Sequence, residues 1–159
     1  MKNHSSRKDH AELSGTTPPA SGVVRVRVRY CECDPMNVAH HAAYIPWLEI
    51  GRTEILRESG VSYAQLEAGG VFLVIAKLEA RYRRPIFYDD IVEVRTKVAQ
   101  VSAVKILHEY ELVVVEHAGQ ACETPCAAAS TTLACVDREG KVRVLPEWLR
   151  ASPSGSGNC

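Results

Sequence analysis

The 159-residue sequence carries no excess of either charge, because Lys plus Arg and Asp plus Glu both total 19. A neutral chain without blocks of like charge is not typical of nucleic-acid-binding proteins. No apolar run approaches the length of a membrane span, and no apolar signal-peptide region follows the N-terminus. We therefore expect one domain with a buried core, located in the cytoplasm, with neither a nucleic-acid partner nor a membrane span.

Several catalytic and nucleotide-binding motifs are also absent. There is no Gly-x-Ser-x-Gly elbow, which argues against a serine hydrolase triad, and no P-loop or Gly-x-Gly-x-x-Gly phosphate cradle. The chain has six cysteines, but Cys31-x-Cys33 is too tight for common zinc spacing and the segment from Cys122 to Cys126 contains Pro125. We read the cysteines as reduced thiols, and we expect no metal and no cofactor.

Composition divides the chain into a domain and two tails. Residues 1–22 are polar and rich in breakers, so we expect a disordered N-terminal tail, followed by a domain at 23–150 and a second disordered tail at 151–159. Residues 24–30 alternate valine or tyrosine with arginine, the period of a half-buried strand. A solvated face is the favoured interpretation of those three arginines.

An amphipathic helix is predicted over residues 43–59. Pro46 is tolerated only in a first turn, which fixes the start, and Gly60 suits the position after the last turn. Gly51 lowers helix propensity by roughly 1 kcal/mol relative to Ala, so we expect close packing on a sheet to compensate. The apolar stripe consists of Tyr44, Leu48, Gly51 and Ile55, widened by Ile45, Trp47 and Leu56.

The remaining pattern is dominated by strands joined by short turns. A short helix capped by Ser62 is expected over 62–68, and a terminal helix beginning at 146. The expected strand segments are 71–75, 77–83, 92–98, 104–116, 121–136 and 141–144. A long helix followed by antiparallel strands predicts an α+β domain with its helices on one face of a sheet.

The segment from Tyr30 to Tyr44 joins the first strand to the long helix and carries the candidate chemistry. Asp34 lies seven residues ahead of His41, where the helix is about to begin. A helix N-terminus offers unpaired N–H groups to a carbonyl oxygen that gains negative charge. A carboxylate aimed at the same carbon can activate water or attack directly. Because a thiol ionises near pH ~8.5, a thiolate leaves without a strong acid, and thioester hydrolysis is the reaction we favour.

The same segment resembles the active-site segment of the hotdog-fold acyl-CoA thioesterases of the 4-hydroxybenzoyl-CoA thioesterase type. That family reads aromatic-x-Asp-Thr/Cys-Asp, a glycine-containing turn, then His/Tyr-x-Asn-Tyr opening a long helix. Glu32 stands at the first acid of the pattern, Met36 and Asn37 replace small or glycine residues, and Ala43 replaces the usual Asn. The matching residues are Tyr30, Cys33, Asp34, Val38, His41 and Tyr44. The resemblance continues weakly from about residue 23 to 145 and implies a curved antiparallel sheet wrapped around one long helix.

The resemblance implies roles for individual residues. Asp34 would act as general base or nucleophile, although Asp before Pro is also a common turn residue. The backbone N–H of His41 would bind the thioester carbonyl, and its imidazole is either an additional donor or an ordinary exposed side chain. Asn37 either orients a water or occupies a left-handed turn position, and Tyr44 is assigned to the substrate site. The candidates for binding coenzyme A are Arg81, Arg83, Arg84 and Lys105. Each of them can equally be an ordinary charged side chain exposed to solvent.

Two alternatives stay open from the sequence. The first is a non-catalytic acyl-CoA-binding or interaction module on the same fold, which would have no need for Asp34. The second, a hotdog-type hydratase, usually has a different Asp/His segment.

The run Val71 to Ile75 is apolar on both faces of a strand, and a helix covers only one face of a sheet. We therefore expect a homodimer or a dimer of dimers, as the resemblance also implies, with the acyl-CoA site at the subunit interface.

Overall fold

Five antiparallel strands form one sheet in the computed structural model, which describes residues 14–151. The two terminal segments predicted to be disordered lie partly or wholly outside these residues. The strands are β1 (Ser21–Arg27), β2 (Phe72–Tyr82), β3 (Ile91–Val101), β4 (Lys105–His117) and β5 (Gln120–Val136). Their order across the sheet is β1-β3-β4-β5-β2, so β1 and β2 are the two edges. The α+β arrangement predicted from the sequence is confirmed.

The long helix α1 (Tyr44–Glu58) lies on one face of this sheet, preceded by a 3-10 turn at His41–Ala43. The expected close approach of Gly51 is confirmed, because a Cβ there would touch the Thr96 hydroxyl and lie 3.1 Å from Val94 Cγ1 on β3. Gly60 follows the helix with a φ of +83°, the left-handed conformation in which glycine ends helices. Two short helices complete the domain, α2 (Tyr63–Ala68), capped by Ser62, and α3 (Glu147–Arg150).

The core between α1 and the sheet divides into two clusters along the helix. The first lies under the N-terminal half of α1 and includes Trp47, Leu48 and Leu112. The second lies under the C-terminal end and includes Leu56 and Leu133, covered by α2 and α3. The first cluster therefore supports the end of the helix that faces Asp34.

Some sequence predictions about elements are wrong. The predicted strand at 141–144 is reduced to one bridge between Val136 and Val142, because the chain then turns away and Leu145 N–H donates to Ala103 O at 2.9 Å. Ile45 is 47% exposed and lies outside the buried stripe of α1. The segments 71–75 and 77–83 form a single strand, β2, interrupted by a bulge between Ile75 and Lys77.

The first strand and the residues ahead of it also differ from the prediction. β1 begins at Ser21 and ends at Arg27, and residues 30–32 form a 3-10 turn instead of continuing the strand. Thr16 lies within the predicted tail, yet its N–H and hydroxyl both bond to the Ser59 carbonyl, at 3.0 and 3.1 Å. Residues 14–20 therefore contact the domain at the C-terminal end of α1.

Candidate active site

Asp34 begins a tight loop that leads from the first strand to α1. The loop closes on itself through a bridge between Cys33 and Ala39 and a bond from Asp34 N–H to Val38 O at 2.9 Å. The carboxylate oxygen Oδ1 accepts the N–H groups of Met36 at 2.9 Å and Val38 at 3.2 Å. Within residues 14–151 the second oxygen, Oδ2, accepts no hydrogen bond. Asp34 is half-buried, so one oxygen holds the loop while the other is available to a substrate or a water.

Glu32 ties this loop to the helix. Its side chain is buried, and Oε1 accepts the Arg29 guanidinium at 2.8 Å and the Trp47 indole N–H at 3.0 Å, while Oε2 accepts Arg29 N–H at 2.8 Å. Burial alone would raise the pKa of this carboxyl group, but the bonds from Arg29 and Trp47 outweigh it, and the pKa is lowered. Glu32 is therefore a carboxylate that connects the loop to the first turn of α1 through hydrogen bonds, and not a free acid. We call this set of bonds the Glu32 brace.

The start of the helix presents backbone donors beside the loop. His40 N–H donates to the Glu32 carbonyl at 2.8 Å, and His40 Nδ1 accepts the Ala42 N–H at 3.2 Å, which caps the 3-10 turn. Within the described part of the chain, the His41 N–H makes no hydrogen bond. The His41 imidazole is exposed and stacks on His40 with ring centroids 4.0 Å apart. This N–H belongs to the 3-10 turn that leads into the positive end of the 15-residue helix α1, and an unpaired donor there suits a developing oxyanion.

Tyr82, at the end of β2, was not predicted as a site residue but contacts the helix start. Its hydroxyl donates to the His41 carbonyl at 3.1 Å, and its ring meets Tyr44 edge-on at 4.9 Å. Alternation along residues 77–83 places Tyr82 on the helix side of the strand, and this was the available signal. Its effect is to orient the peptide unit beside the His41 N–H.

The two remaining loop and helix candidates have different surroundings. Asn37 has a φ of +63°, the left-handed turn position that was one of its two predicted roles, and its carbonyl accepts Tyr88 N–H at 3.3 Å. Tyr44 is buried in the first core cluster, and burial raises the pKa of its phenol to about 12. Tyr44 therefore remains protonated at neutral pH and forms part of the wall beneath the helix start.

The four basic candidates do not form one cluster within a chain. Arg81 pairs with Ala128 on β5, whereas Lys105 pairs with Ala134. Six residues along a strand span about 20 Å, so Lys105 lies at the far end of the sheet from Tyr82 and the helix start. Arg81, Arg83 and Arg84 are exposed and flank Tyr82, the last residue of β2. Within one chain, only these three of the four basic candidates therefore lie near the helix start.

No group of three His, Cys, Asp or Glu side chains within residues 14–151 is arranged to hold a metal ion. None of the helices in the described part is long and apolar enough to cross a bilayer. The five cysteines described are all free thiols, and burial raises the pKa of Cys33 beside Asp34.

Comparison with known proteins identifies the family. Residues 28–152 match the model of the Thioesterase-like superfamily. The acyl-CoA thioester hydrolase YbgC of Escherichia coli O157:H7 is 31% identical over 127 residues, covering 79% of this chain and 90% of that protein. The family match spans the loop, the helix and strands β2 to β5, so it concerns the domain and not an isolated motif.

Solved structures show the same fold. The DHNA-CoA thioesterase of Staphylococcus aureus superposes with a TM-score of 0.68 at 28% identity, covering 79% of this chain and 80% of that chain. The 4-hydroxybenzoyl CoA thioesterase of Pseudomonas sp. strain CBS-3 has a TM-score of 0.71 at 15% identity, covering 80% and 94%. The second likeness concerns the fold alone, and it confirms the hotdog architecture expected from residues 30–44.

Proposed function

This chain belongs to the thioesterase-like superfamily, and we propose that it hydrolyses an acyl-CoA thioester to the free acid and coenzyme A. One observation carries the proposal: a short loop has a carboxylate oxygen without a hydrogen bond, Asp34 Oδ2, at its beginning and an unpaired N–H, that of His41, at its end. A carbonyl bound to that N–H gains stabilisation as its oxygen becomes negative. The carboxylate supplies the base or the nucleophile.

Two routes through Asp34 give the same overall reaction. As a general base, Asp34 takes a proton from water, the hydroxide adds to the thioester carbon, and the tetrahedral intermediate expels the coenzyme A thiolate. As a nucleophile, Asp34 adds to the carbon and expels the thiolate, and water then hydrolyses the resulting anhydride. Either route ends with protonation of the thiolate, whose pKa of ~8.5 makes it a good leaving group.

We also propose that the active form is a homodimer or a dimer of dimers, with the acyl-CoA site at the interface. β2 is an edge strand, and its apolar residues Val74 and Ile75 are 45% and 43% exposed. Pairing of β2 with its copy across a two-fold axis would cover this edge.

Arg81, Arg83 and Arg84 are the proposed contacts to the phosphates of coenzyme A. Lys105 lies far from them within one chain, so it would contribute only if a second subunit places its copy of Lys105 near these arginines. We also propose that the protein is located in the cytoplasm.

The experiment is a panel of aromatic, short-chain and medium-chain acyl-CoA thioesters with a free-thiol readout. We expect release of coenzyme A from at least one class, with turnover proportional to enzyme. The alternative function, a non-catalytic acyl-CoA-binding module, predicts saturable binding of the same thioesters by calorimetry without thiol release. Binding without turnover across the panel would overturn the proposed hydrolysis.

A further inference from the structure

A cavity lies between the C-terminal half of α1 and the sheet, in a different part of the domain from Asp34. Its volume is about 30 Å³, and it reaches the surface beside the exposed Ala151. Three polar side chains, Arg52, Tyr63 and His108, stand in a wall that is otherwise apolar. The apolar wall includes Ile55, Leu56, Leu73, Val98, Ile106 and Leu149.

Arg52 is a buried cation with an incomplete set of acceptors. The residue is 8% exposed, and its ion pair joins Nη2 to Glu49 Oε2 at 3.2 Å, although the Glu49 side chain is 63% exposed. Among the described residues, Arg52 Nε has no hydrogen-bond partner. The phenols of Tyr63 and Tyr110 also interact with this guanidinium, and the interaction lowers the pKa of each against the effect of burial. Burial of an unpaired donor is costly, so Arg52 Nε lacks an acceptor.

No neighbouring side chain in the cavity supplies that acceptor. His108 is 5% exposed, its Nδ1 is also unpartnered, and burial and then the Arg52 charge lower its pKa to about 4. Its imidazole is therefore neutral near pH 7 and still has one N–H to donate. Burial raises the pKa of Tyr63 to about 12, against the opposing effect of Arg52. The phenol of Tyr63 consequently remains uncharged and cannot neutralise the guanidinium.

The cavity is separate from the candidate active site. Its lining includes none of Asp34, His41 or Tyr82. Trp47 and Leu48, both fully buried, fill the space under α1 between the two places. An acyl chain held at Asp34 would therefore not reach Arg52 through the core.

We propose that this cavity binds the carboxylate of a small apolar acid. The carboxylate would accept a charge-assisted hydrogen bond from Arg52 Nε, and His108 would donate to the same group. The volume suits a carboxylate head group, the apolar wall suits the first methylene groups, and the remaining chain leaves beside Ala151. A single water would also fit the volume and accept from Nε, so the test has to separate a carboxylate from water. The proposal does not depend on hydrolysis at Asp34.

The test uses hexanoate as the probe and hexanamide, a neutral molecule of the same length, as the control ligand. We expect calorimetry to show hexanoate binding at least ~10-fold more tightly than hexanamide, as expected for a hydrogen bond to a charged group. Hexanoate should also shift the Arg52 Nε–H signal in a proton–nitrogen NMR spectrum. In Arg52→Gln, hexanoate affinity should fall at least ~10-fold.

A second variant keeps the proposal testable if Arg52→Gln does not fold. Ala151→Trp fills the mouth of the cavity from the surface, and Ala64→Trp, at an exposed position of α2, is its matched control. Hexanoate binding should be lost in Ala151→Trp and retained in Ala64→Trp. Equal affinity for acid and amide, an unmoved Arg52 signal, or undiminished binding in Ala151→Trp or Arg52→Gln would each overturn the carboxylate site and leave a cavity that holds water.

Discussion

The Trp47 indole N–H donates to Glu32 Oε1 at 3.0 Å, and this bond joins the first turn of α1 to the residues just ahead of Asp34. The same carboxylate oxygen accepts the Arg29 guanidinium at 2.8 Å. One buried acid thus sets the position of the loop relative to the helix N-terminus. The distance between a catalytic carboxylate and an oxyanion donor must be held closely for efficient reaction, so Glu32 is a positioning residue for Asp34 and His41.

Asp34→Asn is expected to lower turnover of the best thioester by ~10²-fold or more, because the amide has no basicity and no charge. The fold should be kept, since an amide oxygen can still accept the Met36 and Val38 N–H groups that Oδ1 holds now. Free-thiol assays and thermal melts measure the two properties separately. Asp89→Asn, at an exposed turn, is the matched control and should retain activity. Near-normal turnover in Asp34→Asn would exclude both proposed routes.

Glu32→Gln is expected to lower the free energy of unfolding by about 1–3 kcal/mol, because a buried charged brace loses part of its hydrogen bonding. The folded-state pKa of Glu32 lies below its ordinary value of 4.5. The contribution of the carboxylate is therefore complete above pH 4.5 and disappears as the pH falls through the lower folded-state pKa. Urea titrations at several pH values should show the wild type and the variant converging in acid. A difference that stays constant down to the lowest pH would contradict this role.

Gly51→Ala is expected to destabilise the domain by about 1–3 kcal/mol through overpacking, because the new methyl group would meet the Thr96 hydroxyl and Val94. The hydroxyl of Thr96 is buried and has no hydrogen-bond partner among the described residues, so Thr96→Ala alone should cost only the loss of one buried methyl group, about 1 kcal/mol. Gly51→Ala combined with Thr96→Ala should recover most of the loss. Urea unfolding of the four proteins gives the coupling energy, and strict additivity would show that the helix avoids the contact by moving.

Val74→Lys places a charge on the exposed apolar edge of β2 and should weaken self-association and activity together. The matched control is Val23→Lys on β1, the opposite edge of the sheet, where Val23 is 58% exposed. Light scattering on a size-exclusion column measures the assembly, and the free-thiol assay measures activity on the same fractions. A fully active wild-type monomer at micromolar concentration would contradict both the β2 interface and the shared site.

The sequence alone determined the elements and the chemistry of the loop. Alternation predicted most of the strands, and Pro46 and Gly60 bounded α1 within a residue or two, because these signals are local and act within one turn or one strand. The segment around Asp34 indicated thioester chemistry through the residue types themselves. The strand predicted at 141–144 was wrong because alternation shows which side chains suit a strand and not whether a partner strand lies beside it.

Only the tertiary structure decided which distant side chains meet. Glu32 is braced by Trp47, fifteen residues later, and Tyr82 reaches His41 across 41 residues. Arg52 reads as an ordinary polar position of α1, yet it is buried opposite His108 on β4. A charged side chain in a helical pattern predicts solvent exposure, and only the packing of the sheet against that helix determines whether the charge is buried. Sequence periodicity describes one element at a time, whereas the brace, the helix start and the cavity each form where two elements come into contact.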